Sequence, residues 1–300
     1  MTTFASEPST AAGLPLFDHP SARLAAFYGE NGFALLSNAL SPGEVAEVNA
    51  EAVRLCRGEL GHVAGAAGGE DESDEELLRR FLCIHYPHKV SGVARRALAN
   101  PRIVSALTSV IGPNVKAMQS MLFIKSEGKP GQAWHQDEYF IPTRDRSLTG
   151  VWIALDDATI ENGCLWVLPG SHRRGVLYPA RDQEDPRFDC SIEAYDFPYR
   201  DEDSAPVEIP AGTAVIFNGY LLHRSLENSG KHGYRRALAN HYMSAESLLP
   251  WRQPREGEHM GIADYRDVVL VAGEDPYAYK GVEDLARPMS RPDKQGGCDR

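Results

Sequence analysis

Residues 211–225 read AGTAVIFNGYLLHRS. Pro210 to Gly212 carry a turn signal, a short β-branched and aromatic run follows through Phe217, and His223 stands beyond it. That is the pattern of a buried strand entered from a turn. Runs of the same kind recur from Val115 onward: AMQSMLFIK (117–125), AWHQDEYF (133–140), TGVWIALDD (149–157), GCLWVLPG (163–170), APVEIP (205–210) and YRRALANHYM (234–243). Several short strands with irregular connections indicate a sandwich or barrel. Strand–helix–strand alternation and a glycine-rich phosphate loop are both lacking, which argues against a doubly wound nucleotide fold.

The first hundred residues read mainly as helices. In LSPGEVAEVNAEAVRLCRG (40–58), Ser41 is an N-cap, Pro42 opens the helix, Glu44 completes a capping box and Gly58 stops it. Ser73 and Glu76 form a second capping box at the end of the acidic run 70–76, read as a loop feeding a helix. Asn100 and Pro101 open a third helix that ends at Gly112. The expected fold is mainly β with flanking α: a double-stranded β-helix, a cupin-like jelly roll, with N-terminal helices packed on it. One domain is expected over 1–300, with a helical lead-in at about 20–112, a jelly-roll core at about 115–245, a wrapping segment at about 246–285 and a disordered tail at 288–300.

With 42% hydrophobic and 24% charged residues, the chain is composed like a soluble, packed protein. Its formal charge of −11 leaves no basic stripe to replace phosphate counterions, so no nucleic-acid partner is expected. Cys56, Cys83, Cys164, Cys190 and Cys298 form no CxxC and are odd in number, which points to reduced thiols rather than a disulfide framework or zinc knuckle. The N-terminus lacks a basic start with an apolar core, and no run of about 18 apolar residues occurs. Neither secretion nor a membrane partner is indicated, and the expected location is cytoplasmic.

In AWHQDEYF, an extended backbone puts His135 and Asp137 on one face and Gln136 on the other. A third ligand has to come from a distant strand, and His223 is available. Two histidines and a carboxylate on one face of an octahedral ion leave three positions open, as in non-haem Fe(II) oxygenases. Three vacancies suit a bidentate cosubstrate plus oxygen.

WHQDEYF, GVWIALDDATIENGCLWVLPGSH, AGTAVIFNGYLLHRS and GYRRALANHY, preceded by GPNVKAMQSMLFIK, resemble the phytanoyl-CoA dioxygenase family of Fe(II)/2-oxoglutarate-dependent oxygenases, particularly its phytanoyl-CoA dioxygenase domain-containing branch. The resemblance spans about residues 30–245. It implies that His135, Asp137 and His223 bind iron and that Arg235 meets the far carboxylate of 2-oxoglutarate. A planar guanidinium suits that role because it engages a carboxylate through two parallel hydrogen bonds. Arg236 faces the other way in a strand, and the family's motif has an aromatic residue just before the anchor, as Tyr234 stands here.

The same resemblance carries Met121, Trp152 and Ser225 into the cosubstrate pocket. Where family members often have an upstream lysine, FLCIHYPHKV offers Cys83 or His85, and His85 is the candidate contact. His88 and Arg144 are loop candidates for the substrate, while His172 and His241 read as structural.

The implied activity is oxidation, most simply hydroxylation, of an aliphatic C–H in a small-molecule substrate, with O2 as oxidant and release of succinate and CO2. Ascorbate is a candidate reductant. Desaturation, epimerisation or ring formation would use the same chemistry, whereas halogenases of this superfamily lack the carboxylate ligand that Asp137 supplies. An alternative of another class, a non-oxygenase cupin-like metal-binding or isomerase barrel, has no need of a carboxylate anchor at Arg235. Nothing resembling a coenzyme A site can be read from the residues, so tailoring of a small metabolite is the expectation; oligomeric state is left open.

Overall fold

The computed structural model describes residues 8–66, 72–189, 192–249, 252–259 and 263–292. Cys190, Cys298, the first two residues of the acidic run and residues 293–300 of the tail lie outside the described residues.

Five helices precede the long strands: α1 (Ala22–Asn31), α2 (Pro42–Arg57), α3 (Asp74–Arg79), α4 (Gly92–Leu98) and α5 (Pro101–Val110). Local chemistry sets their ends. Glu44 N–H donates to Ser41 Oγ at 3.3 Å and the Glu44 carboxylate accepts from Ser41 N–H at 2.8 Å, closing the capping box of α2. Ser73 and Glu76 repeat that arrangement on α3, and Asn100 caps α5 ahead of Pro101.

The strands are β1 (Leu16–Phe17), β2 (Phe33–Leu36), β3 (Phe81–His85), β4 (Val115–Lys125), β5 (Gln132–His135), β6 (Thr149–Ala154), β7 (Leu165–Val167), β8 (Ala180–Arg181), β9 (Glu193–Ala194), β10 (Ala205–Val207), β11 (Ala214–Asn218), β12 (His223–Ser225), β13 (Arg235–Ser244), β14 (Val269–Ala272) and β15 (Met289–Pro292). The major sheet runs β1-β2-β11-β6-β13-β4-β3-β15, with β14 also on β4, and a second sheet runs β10-β7-β12-β5. This is the expected double-stranded β-helix, or jelly roll, with helices on its outer face.

Alternation along each major-sheet strand separates two cores. Leu122, Ile124, Val151, Ile153, Ile216 and Leu238 face outward into a core shared with Leu24, Val48, Leu55, Leu98 and Ile103 of the helices. Trp152, Ala154, Val215, Phe217, Ala237 and Ala239 face inward against Leu165, Val167 and Val207 of the second sheet. Both faces are covered, which is why these strands read as near-continuous apolar runs.

Three features depart from the expectations. The first hundred residues also contain β1, β2 and β3, short apolar runs that periodicity cannot tell from helix because both faces are buried. Residues 289–292 of the tail form a strand on β3 rather than a disordered end, since β3 would otherwise leave a free sheet edge. AWHQDEYF is extended only as far as Gln136; Asp137–Tyr139 turns into a short 3₁₀ segment.

Candidate active site

β5 and β12 are antiparallel neighbours in which His135 and His223 are direct cross-strand partners, with ring centroids 4.1 Å apart. Asp137 joins them because Gln136 keeps an extended backbone (φ −128°, ψ 127°), which turns its neighbours to a common side. The Gln136 side chain, on the opposite side, donates to Val176 O and Tyr220 O and accepts from Tyr178 N–H, pinning the segment.

Each histidine has its tautomer set by the backbone. His135 Nδ1 lies 2.7 Å from Ala133 O and His223 Nδ1 lies 3.0 Å from Leu221 O. A carbonyl can only accept, so both Nδ1 atoms carry a proton, and the Nε2 lone pair of each neutral ring is the one left for an ion. Those lone pairs converge on Asp137 Oδ1, at 3.5 Å and 3.6 Å, and one ligand atom from each of the three residues lies within 4.8 Å of the others. All three side chains are buried. Asp137 Oδ2 is held separately by His241 Nε2 at 2.9 Å, so Oδ1 is the atom left for a ligand.

The electrostatics match a cation site. Burial alone would raise the Asp137 pKa, but His223, His241 and His135, with the His241 hydrogen bond, hold it below the ordinary carboxylate range. Burial, then His135, pushes His223 down to about 4, keeping it neutral as a ligand must be. The Phe217 ring packs 4.7 Å from the His223 ring and occupies the space above Gly150, where a Cβ would come within 2.3 Å of it.

The triad opens onto a cavity of about 260 Å³. Met121 and Trp152 line its wall, as does Arg235, which the structure buries to 3% exposure. Arg235 Nε donates to Gly163 O at 3.1 Å, its guanidinium lies over the Trp152 ring, and its buried Nη1 has no partner among the described residues. Arg236 points the other way and pairs with Asp156 at 2.6 Å. Ser225 also lines the cavity, its Oγ accepting from Gln132 N–H and from Lys125 Nζ, each at 3.2 Å.

His85 lies in the cavity wall as the cross-strand partner of Met121, with a pKa of about 4 caused first by burial and then by Arg291. His88 and Arg144 do not line the cavity: His88 is bonded to Ser120 Oγ, and Arg144 is exposed. His172 packs against Gly32 and reaches Gly29 O, away from the triad.

Sequence reasoning passed over Lys125 and Arg291 and read His241 as structural without finding its partner. Lys125 shares the Met121 face of AMQSMLFIK, a period-2 signal that could have found it. His241 shares the Arg235 face of β13 but contacts the triad only through tertiary packing. Arg291 enters from β15 and pairs with Asp189 at 3.0 Å on the cavity wall; no local pattern marks it.

Comparison with known proteins adds four findings. A family model described as phytanoyl-CoA dioxygenase (PhyH) matches residues 28–237. Phytanoyl-CoA dioxygenase 1 of Oryza sativa subsp. japonica is 35% identical over 164 residues, 54% of this chain but only 57% of that protein, so the chain spans little more than half of that relative's length. The peroxisomal phytanoyl-CoA dioxygenase of Rattus norvegicus is 30% identical over 276 residues, covering 86% of this chain and 77% of its own. Among solved structures, the apo form of the non-heme monooxygenase ThoJ superposes with a TM-score of 0.65 at 23% identity, over 90% of this chain and 88% of its own, a likeness of fold.

Proposed function

The chain belongs to the phytanoyl-CoA dioxygenase family, and from that premise we propose that it is an Fe(II)- and 2-oxoglutarate-dependent dioxygenase oxidising an aliphatic C–H bond of a small molecule. His135 and His223 through Nε2, and Asp137 through Oδ1, would hold the iron. Iron with 2-oxoglutarate supplies activation of O2 for C–H oxidation, with succinate and CO2 as coproducts.

The chain's own residues account for the rest. Arg235 binds the far carboxylate, desolvated over Trp152, where a charge-assisted contact is strong. Ser225 adds a hydroxyl donor beside it. His241 fixes the Asp137 carboxylate so that one oxygen faces the ion. Met121, Trp152 and Phe217 keep the cavity wall apolar and limit water access.

The observation that carries the reading is the meeting, in one cavity, of a three-ligand face and a buried arginine whose Nη1 has no partner among the described residues. A metal-dependent isomerase barrel would need the first but not the second. The test is succinate formation from 2-oxoglutarate by the iron-loaded protein under air. Stoichiometric succinate in the presence of an oxidisable substrate supports the reading. Failure of the iron-loaded protein to bind 2-oxoglutarate would end it.

A further inference from the structure

Gln119 stands on the inner face of β4, two residues before Met121 and opposite His241 of β13. It lines the cavity and is partly buried. Lys125, the cross-strand partner of Arg235, lies six residues further along the same strand. Six extended residues span about 20 Å, so Gln119 marks the end of the cavity remote from the carboxylate anchor. Met121 and Ile141 flank it there, Ile141 through a cluster with Met118. A primary amide set between apolar side chains is the kind of sparse polar group that orients a ligand in an otherwise apolar pocket.

The backbone beside it is strained. Tyr86 follows β3 in the left-handed region (φ 56°, ψ 39°), which a bulky side chain seldom occupies. Tyr86 N–H donates to Ser120 O at 2.8 Å, which ties the bend to β4. Its phenol meets Gln119: burial, then Asp267, raise the Tyr86 pKa, and a hydrogen bond with Gln119 opposes the rise. A contact that favours the phenolate is one donated to its oxygen, so Gln119 gives Tyr86 an N–H and keeps its carbonyl and second N–H for a ligand.

The charges of the cavity wall are committed elsewhere. Asp137 is held by His241, Asp189 pairs with Arg291 at 3.0 Å, Arg224 pairs with Asp201 at 3.0 Å, and Lys125 and Arg235 stand at the other end. His85, the partner of Met121, stays neutral near pH 7, since burial and then Arg291 hold its pKa at about 4. An ion brought to Gln119 would lose water and gain no counter-charge, whereas a neutral hydroxyl or carbonyl would exchange one hydrogen bond for another.

We infer that Gln119 is the specificity-determining residue at the substrate end of the cavity, reading a neutral hydroxyl or carbonyl group on an otherwise apolar substrate. The inference rests on the proposed function and deepens it, because it names the chemical class of the molecule whose C–H bond is presented.

The test is calorimetric titration of the protein loaded with iron and 2-oxoglutarate, under nitrogen, with probes that share one ring: cyclopentanol, cyclopentanone, cyclopentane, cyclopentanecarboxylate and cyclopentylammonium. The wild type should bind the alcohol and the ketone at least about fivefold more tightly than the hydrocarbon or either ion. Gln119→Leu should bring the ratio of alcohol to hydrocarbon affinity close to one, and a ratio taken within one variant cancels any general loss of binding. Gln119→Glu, which keeps the shape of the side chain, should shift preference to the ammonium probe, and it carries the test should the leucine variant fail to fold. A wild type that binds an ion or the hydrocarbon as tightly as the alcohol, or that takes up none of the probes, would overturn the inference. So would a wild-type ratio in Gln119→Leu, which would mark the amide as a support for Tyr86 alone. A protein that fails to load 2-oxoglutarate would instead end the proposed function before any probe is added.

Discussion

Ala133 and Leu221 decide which nitrogen each site histidine offers, because their carbonyls hold the Nδ1 protons of His135 and His223. Replacing His135, Asp137 or His223 with alanine leaves two donors, and Fe(II) affinity should fall by more than about a hundredfold, beyond the cost of losing a supporting hydrogen bond. Anaerobic metal titration measures this, and a variant that keeps wild-type affinity does not ligate. Arg235→Leu should raise the 2-oxoglutarate requirement more than about tenfold, since a charge-assisted contact contributes roughly 1.5–3 kcal/mol. Arg236→Leu should leave that requirement unchanged, because its guanidinium is occupied by Asp156 outside the cavity. The opposite pattern would exchange the two residues' roles. The roles of His223 and Arg235 came with the family resemblance, while His135 and Asp137 were legible because an extended backbone puts residues two apart on one face. His241 was not, since its bond to Asp137 joins residues 104 positions apart.

At the scale of elements, β6, β11 and β13 form the floor under the triad. Phe217 of β11 is the Cα partner of Gly150 in β6, and the absent side chain at Gly150 is what lets the Phe217 ring lie beside His223. Gly150→Ala should push that ring into the ligand, costing about 1–3 kcal/mol and lowering Tm by several degrees, with weaker metal binding. Combining it with Phe217→Leu should recover part of both losses. Additive damage in the double variant would show that the two positions do not share one space. The capping boxes of α2 and α3 were readable residue by residue because their hydrogen bonds span three positions. The pairing of β15 with β3 was not, because it closes a sheet edge from across the chain.

Across the whole molecule, acid sensitivity should come partly from histidines folded away from water. His85 and His88 are both held near pKa 4, chiefly by burial, against about 6.5 when unfolded. Between those values the unfolded chain takes up protons that the native chain refuses, so stability is full above pH 6.5 and falls as the pH is lowered toward 4. Each group should withdraw about 2 kcal/mol by pH 5. Metal-free denaturant melts from pH 8 to pH 5 measure the slope, and His88→Gln should flatten it. An unchanged slope would place the acid sensitivity elsewhere. No helix among the described residues is long and apolar enough to cross a membrane.

By itself the sequence determined the capped helices, the inward and outward alternation of the long strands and the His-x-Asp pair with its distant histidine, all of which depend on neighbours a few residues apart or on a motif that survives in linear form. Only the tertiary structure decided that His135 and His223 are cross-strand partners, that His241 holds Asp137, and that Lys125 and Arg235 stand side by side in the cavity wall. The reason is physical: register between strands is set by which faces can be buried together, and that is a property of the assembled sheet rather than of any one strand.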